Sequence, residues 1–302
     1  MTKYEAVRTP DTRFIDLPDF PWSPHYLDQL QGYEGLRMAR IDEGPEGARQ
    51  VFLCLHGQPS WSFLYRHMIP VFLETGARVI APDLFGFGRA DKPLNDADYT
   101  FTFHRQSLVA LIKSLDLRNI TLVVQDWGGL LGLTIPPEMP DRFDKVLIMN
   151  TVLGLGGGSS DGFDAWRDFH RDYPDYDMAA LFKEYVPGIS DKVAAAYAAP
   201  FPDAQYRAGA RRFPFLVMTT PDMEGVDVSR RAAAWWATEW KGDSFMVVGE
   251  QDVLIPPRLM KRMQEILGLS GPTMFLPDAG HFVQETHGAM VARAALKAWG
   301  HS

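Results

Sequence analysis

The residues with the clearest chemical meaning lie in Leu122-Val123-Val124-Gln125-Asp126-Trp127-Gly128-Gly129. An apolar run followed by a carboxylate and small residues reads as a buried strand turning sharply into a helix, with Asp126 at the bend. In the G-x-S-x-G form of such a turn the nucleophile is exposed at the top of a sheet, and the next backbone N–H faces the developing oxyanion. Here Asp126 stands where serine would stand. A carboxylate is already ionised at neutral pH, attacks saturated carbon by displacement, and leaves an alkyl ester that water must then cleave. The expected substrate carries a good leaving group on sp³ carbon.

An ester on Asp126 would persist unless a base within about 3 Å of a water activated it, and a neutral imidazole suits that task near pH 7. His281 sits in the small-residue loop Asp278-Ala279-Gly280-His281 after the apolar run Met274-Phe275-Leu276. Asp252 follows Phe245-Met246-Val247-Val248 and is the candidate for fixing the imidazole tautomer and stabilising the imidazolium. The order Asp126, Asp252, His281 is the nucleophile, acid, histidine order of the α/β-hydrolase fold. Directly after another candidate strand, His56-Gly57-Gln58-Pro59 offers the Gln58 backbone N–H as a partner to that of Trp127 in an oxyanion hole. His56 is expected to hold that loop by hydrogen bonding. The Gly86-Phe87-Gly88 pair lacks the third glycine and the downstream acid of a dinucleotide site.

These positions require a sheet whose strand ends gather on one edge. Candidate strands at 50–55, 78–81, 120–125, 146–150, 244–249 and 273–276 alternate with helical patterns, the signature of a mostly parallel sheet flanked by helices. Leu108, Leu111, Ile112 and Leu115 place one apolar face on a helix over 104–115. The helix after the elbow is expected to stop at Pro136-Pro137. From Gly154 the pattern turns glycine- and serine-rich, then helical and aromatic. We expect an inserted helical cap over 154–221 between two parts of a main domain, 1–153 and 222–302. The Gly156-Gly157-Gly158 stretch reads either as a flexible surface loop or as the hinge of a lid.

A chain of 302 residues with 46% hydrophobic and 23% charged residues buries one large core. Its net charge of −8, without a Lys/Arg cluster, argues against nucleic acid as a partner. No apolar run approaches the roughly 18 residues of a membrane span, and the N-terminus lacks the apolar region of a signal peptide, so cytoplasmic residence is expected. The single cysteine, Cys54, lies inside an apolar run and is expected to be buried, and Asn119-Ile120-Thr121 is a chance glycosylation match. No His/Cys/carboxylate cluster has ligand spacing, so neither metal nor cofactor is implied.

Taken together, these motifs resemble the haloalkane dehalogenases of the α/β-hydrolase superfamily, most closely their first subfamily. The resemblance runs almost end to end, through Arg8-Thr9-Pro10-Asp11, Val51 to Pro59, Ala81 to Pro93, Arg118 to Gly129, Ala198 to Asp203 and Asp278 to Glu285. It implies Asp126 as nucleophile, His281 as base and Asp252 as its orienting acid. It also implies that Trp127 and a cap tryptophan, matched by Trp166, donate indole N–H bonds to the halide. A departing halide needs donors but no proton, and an indole is a neutral donor on an apolar body. The substrate would be a small halogenated alkane, the products a halide ion and an alcohol, and the protein a monomer. Trp235, Trp236 and Trp240 lie outside the motifs and read as packing. Two departures stand out: Gln58 occupies a position where close relatives carry Glu, and the cap segment is shorter. Phe163, Phe169 and Phe213 are candidates for lining the pocket.

Epoxide hydrolases are the alternative, since they share the aspartate elbow and the histidine step but need cap tyrosines to protonate the epoxide oxygen. Tyr173, Tyr176, Tyr185, Tyr197 and Tyr206 are available. Fluoroacetate-type dehalogenases resemble a pattern with Arg after the nucleophile, where this chain has Trp127. A catalytically silent hydrolase used for binding would usually lose one of the three titratable residues, and all three are present.

Overall fold

Strands buried on both faces need no alternation, and the runs at the centre of this chain are continuously apolar for that reason. A computed structural model describes residues 3–301. Its main sheet contains β1 (His25–Leu27), β2 (Met38–Glu43), β3 (Val51–Leu55), β4 (Arg78–Pro82), β5 (Ile120–Gln125), β6 (Phe143–Met149), β7 (Asp243–Gly249) and β8 (Thr273–Leu276). The lateral order is β1-β2-β4-β3-β5-β6-β7-β8. Every pair from β4 to β8 is parallel, and β2 runs antiparallel to both β1 and β4. The mostly parallel sheet is as expected. Sequence reading missed β1 and β2, because Arg40 and Asp42 make β2 look polar. Both are largely buried there, Asp42 accepting from Arg78 Nε at 2.7 Å and from Arg40 Nε at 3.1 Å.

The helices are α1 (Ile69–Leu73), α2 (Phe101–Ser114), α3 (Trp127–Gly132), α4 (Asp161–Asp172), α5 (Met178–Tyr185), α6 (Asp191–Ala198), α7 (Ala208–Arg212), α8 (Val226–Thr238), α9 (Pro257–Leu267) and α10 (Val283–Ala298). Helix α2 begins three residues before the apolar spacing suggests, since Thr100 caps it by accepting the Phe103 N–H at 3.0 Å. Helix α3 gives way to 3₁₀ turns starting at Pro136 and Pro140. Helices α4 to α7 form one excursion between β6 and α8. The glycine-rich stretch leading into it is pinned where it meets α4. Gly158 N–H donates to the Thr219 carbonyl at 3.0 Å, and the Ser160 hydroxyl donates to the Leu254 carbonyl at 2.7 Å while accepting from Phe163 at the start of α4.

A buried ion pair ties this excursion to the sheet layer. Arg66 makes a two-pronged contact with Glu285 at the start of α10, and the Tyr197 hydroxyl of α6 donates to the same carboxylate at 2.5 Å. The Arg66 side chain is 1% exposed and that of Glu285 8%. Removing one charge strands the other in low dielectric. Arg66→Met is therefore expected to cost about 3–5 kcal/mol, readable as a lowered urea midpoint.

Candidate active site

The carboxyl ends of β3, β5, β6, β7 and β8 deliver Gln58, Asp126, Asn150, Asp252 and His281 to one edge of the sheet. Asp126 takes φ 50° and ψ −126°, a left-handed-side conformation that is costly for a residue with a Cβ. The surroundings hold it there: its N–H donates to the Asn150 carbonyl at 3.1 Å, and its carbonyl accepts from the Thr151 hydroxyl at 2.6 Å. Such a bend brings other backbone close. A Cβ on Gly128 would run into the Leu55 carbonyl, and one on Gly57 into the Asp126 carboxylate itself.

Asp126, Asp252 and His281 converge. His281 Nε2 lies 3.5 Å from Asp126 Oδ2, and Nδ1 lies 2.8 Å from Asp252 Oδ2. The other Asp252 oxygen accepts the N–H groups of Leu254 and Ile255, at 2.8 and 3.0 Å, and Asn150 Nδ2 donates to Oδ2 at 2.7 Å. Burial works against charge on Asp252, but His281, the Ile255 N–H and Asn150 outweigh it, so its carboxyl lies below the usual range. Burial also opposes charge on His281, and there the nearby Asp252 and Asp126 carboxylates prevail and raise it. Gln125 bears on the same ring: its amide nitrogen lies 2.8 Å from His281 Nε2 and 3.2 Å from the His281 carbonyl oxygen.

The Gln58 backbone N–H donates to Asp126 Oδ1 at 2.8 Å, leaving Oδ2 turned toward His281. The Trp127 N–H, at the start of α3, makes no hydrogen bond to a described residue. His56 is spent on the loop, as expected. Nε2 accepts the Leu84 N–H at 2.9 Å and Nδ1 donates to the Gly57 carbonyl at 2.9 Å, while burial lowers its pKa and favours this neutral form.

Asp126 opens onto a narrow cavity of about 90 Å³ whose walls include Gln58, Trp127, Phe163, Trp166, Leu254 and Ile255. The indole nitrogens of Trp61 and Trp236 are committed to backbone carbonyls of Ala196 and Leu133, at 3.2 and 2.7 Å. Those of Trp127 and Trp166 have no hydrogen-bond partner among the described residues. Trp235, Trp236 and Trp240 form an aromatic cluster away from the cavity. Of the three phenylalanines considered, only Phe163 is on the cavity wall. Phe213 sits behind Trp127 with ring centroids 4.7 Å apart, and Phe169 packs on Tyr176 at 5.3 Å, because both belong to the layer that buttresses the wall. No tyrosine lines the cavity among the described residues. Tyr176 bonds to His170, Tyr197 to Glu285, Tyr185 stands edge-on to Trp166, and Tyr173 is exposed.

Sequence reading overlooked Gln125, Asn150 and His170. Gln125 and Asn150 carried a usable signal, being polar residues that end or follow buried strands at the catalytic edge. His170 carried a weaker one, its spacing of one helical turn from Trp166.

The model of the α/β hydrolase fold matches residues 50–288. The chain is 42% identical to a haloalkane dehalogenase of Psychrobacter cryohalolentis, with 97% of each covered, and 40% identical to one of Mycolicibacterium paratuberculosis, with 96% of this chain and 97% of the relative covered. Its structure superposes on that of the haloalkane dehalogenase of Paraglaciecola agarilytica, described as tetrameric, with a TM-score of 0.94 at 47% identity over 97% of this chain and 98% of the other. Fold and site together thus define an α/β hydrolase with a carboxylate at its elbow. Within that class, the chain belongs to the haloalkane dehalogenase family. No helix among the described residues is long and apolar enough to cross a membrane.

Proposed function

We propose that the chain hydrolyses the carbon–halogen bond of short primary haloalkanes, giving alcohol, halide and a proton through an alkyl ester on Asp126. The observation that carries this reading is Asp126 facing a small cavity together with two uncommitted indoles, those of Trp127 and Trp166. Oδ1 is held by the Gln58 N–H, so Oδ2 is the attacking oxygen, and the halide leaves toward the two indole N–H groups. His281, oriented by Asp252, then takes a proton from water, and the hydroxide attacks the Asp126 carbonyl carbon. The resulting oxyanion is stabilised by the N–H groups of Gln58 and Trp127, each worth a few kcal/mol. Collapse expels the alkoxide, which takes its proton from the His281 imidazolium, and loss of the remaining carboxyl proton to solvent restores the carboxylate.

Helices α4 to α7 act in this reading as the cap, over 154–221, and supply Trp166 and Phe163 to the cavity wall. A cavity of about 90 Å³ is far below the roughly 300 Å³ and more of sites for larger ligands, so chains of a few carbons are favoured. The epoxide alternative lacks a tyrosine on the cavity wall to protonate an epoxide oxygen. All proposed roles fall within one chain, and a monomer is proposed as the active unit, tested by activity at the elution volume of a single chain.

The deciding experiment supplies terminal chloro- and bromoalkanes of increasing length beside terminal epoxides of matched length. One halide and one alcohol per substrate consumed, with no diol from the epoxides, is the expected result; diol without halide overturns the reading. The close fit at Gly57 supplies a further test. In Gly57→Ala the added methyl displaces the Asp126 carboxylate, and kcat/KM for halide release is expected to fall on the order of 100-fold, with circular dichroism unchanged.

A further inference from the structure

The face of Trp166 turned from the cavity is held by polar groups from separate segments. Gln58 follows β3, Trp166 and His170 lie one turn apart on α4, and Tyr176 comes after that helix ends. The His170 ring is 1% exposed and lies against the Trp166 indole, with centroids 4.2 Å apart, and against Tyr176 at 4.8 Å. His170 Nδ1 is 2.9 Å from the Trp166 carbonyl oxygen, which only accepts, so Nδ1 carries a hydrogen. His170 Nε2 lies 3.1 Å from the Gln58 side-chain nitrogen and 3.1 Å from the Tyr176 hydroxyl. The Gln58 amide is oriented independently, since the same nitrogen lies 3.1 Å from the Ala210 carbonyl oxygen on α7. Gln58 therefore donates to both, and His170 Nε2 offers it a lone pair.

Resting on the halide reading of Trp127 and Trp166, we propose that His170 is a positioning residue for halide capture. As an uncharged acceptor for the Gln58 side chain, it fixes Trp166 on α4 relative to the loop that presents the Gln58 backbone N–H to Asp126. The halide donor and the oxyanion donor thus share one support. This gives a physical reason for Gln at position 58: a Glu carboxylate there would set acceptor against acceptor until a proton is taken up between it and His170. Burial favours the uncharged ring, lowering its pKa to about 4 against the smaller effect of the Trp166 carbonyl. Of the charged groups around it, the arginines act in the same sense as burial, and the Asp126 carboxylate acts against it. Arg171, Arg211 and Arg212 line the hollow on its outer side, with Arg211 paired to Asp96 and Arg171 to Asp168, and Asp126 lies on the cavity side beyond Gln58.

Bromide quenching of tryptophan fluorescence reads halide affinity on the whole protein without turnover, with Trp166→Phe as the reference. His170→Phe keeps an aromatic ring on Trp166 and removes both ring nitrogens, and is expected to raise the bromide Kd about tenfold. Gln58→Glu is expected to make bromide bind more tightly as the pH falls from about 8 to about 5, through uptake of a proton between the carboxylate and the ring. In Gln58→Glu combined with His170→Phe that pH dependence disappears. A wild-type Kd in folded His170→Phe overturns the proposal, as does pH dependence surviving in the double variant. Should His170→Phe not fold, a pH-independent Kd in Gln58→Glu overturns it alone. If Trp166→Phe also leaves the Kd unchanged, the halide reading itself fails; if Trp166→Phe loses bromide while His170→Phe does not, only the role of His170 fails.

Discussion

Asp126→Asn is expected to abolish halide release, lowering kcat/KM by at least about 10⁴-fold, while the fold is retained. The amide has nearly the shape of the carboxylate, and its oxygen still accepts the Gln58 N–H that now holds Oδ1. What disappears is the anionic Oδ2 turned toward His281, and with it the atom that would bond to carbon. Because the ester never forms, neither a steady rate nor a single-turnover burst of halide is expected. Halide affinity moves in the opposite direction. The carboxylate and a bound bromide are like charges in one small cavity, so replacing Asp126 by a neutral amide should tighten bromide binding severalfold, on the order of 1 kcal/mol. Loss of turnover with gain of bromide affinity separates removal of a nucleophile from collapse of the site, which would weaken both. Residual turnover above about one part in a hundred, beyond what uniform binding and the oxyanion hole sustain, would assign the nucleophile elsewhere.

The parallel strands were readable because the inner ones, buried on both faces, leave an unbroken apolar signature, and the edge strand β8 stays apolar in sequence although Phe275 is exposed. The antiparallel edge was not, because β2 buries Arg40 and Asp42 in an ion-paired layer with Arg78, and local composition cannot distinguish a paired buried charge from an exposed one. The convergence of Asp126, Asp252 and His281 was legible for a topological reason. In a parallel sheet, residues that follow strands emerge on one edge, so three polar residues each following an apolar run must gather there. Partners fixed by long-range packing left less trace. Asn150 earns its contact with Asp252 only because β6 lies beside β7, and His170 meets Gln58 only once α4 folds back over β3. The pocket wall was hardest to read: Phe169 and Phe213 have the right character but stand one layer behind it.

His281→Gln should separate the two halves of the reaction. In the proposed mechanism displacement of halide uses the Asp126 carboxylate and the indole donors but no proton transfer, so the variant is expected to release about one halide per active site. Hydrolysis requires a base on water, and without the imidazole the ester accumulates, visible by mass spectrometry as one alkyl group per chain; general-base loss alone accounts for about 10²–10⁴-fold in the second step. Sustained turnover in this variant would rule out the role of His281. The same logic sets the pH dependence of the unaltered protein. In the free protein Asp252 and Asp126 together raise the histidine against the effect of burial. Ester formation removes the charge on Asp126, one of the two anions doing so, and the imidazole pKa must fall at the moment a neutral base is needed. Lowering the pH therefore protonates the base of the second step, whereas the first step calls for no proton transfer. The halide burst should persist, and grow toward one per site, at acidic pH where the steady rate has already declined. A burst and a steady rate that fall together would mean that protonation blocks attack by Asp126 itself, and the division of labour between carboxylate and imidazole would have to be redrawn.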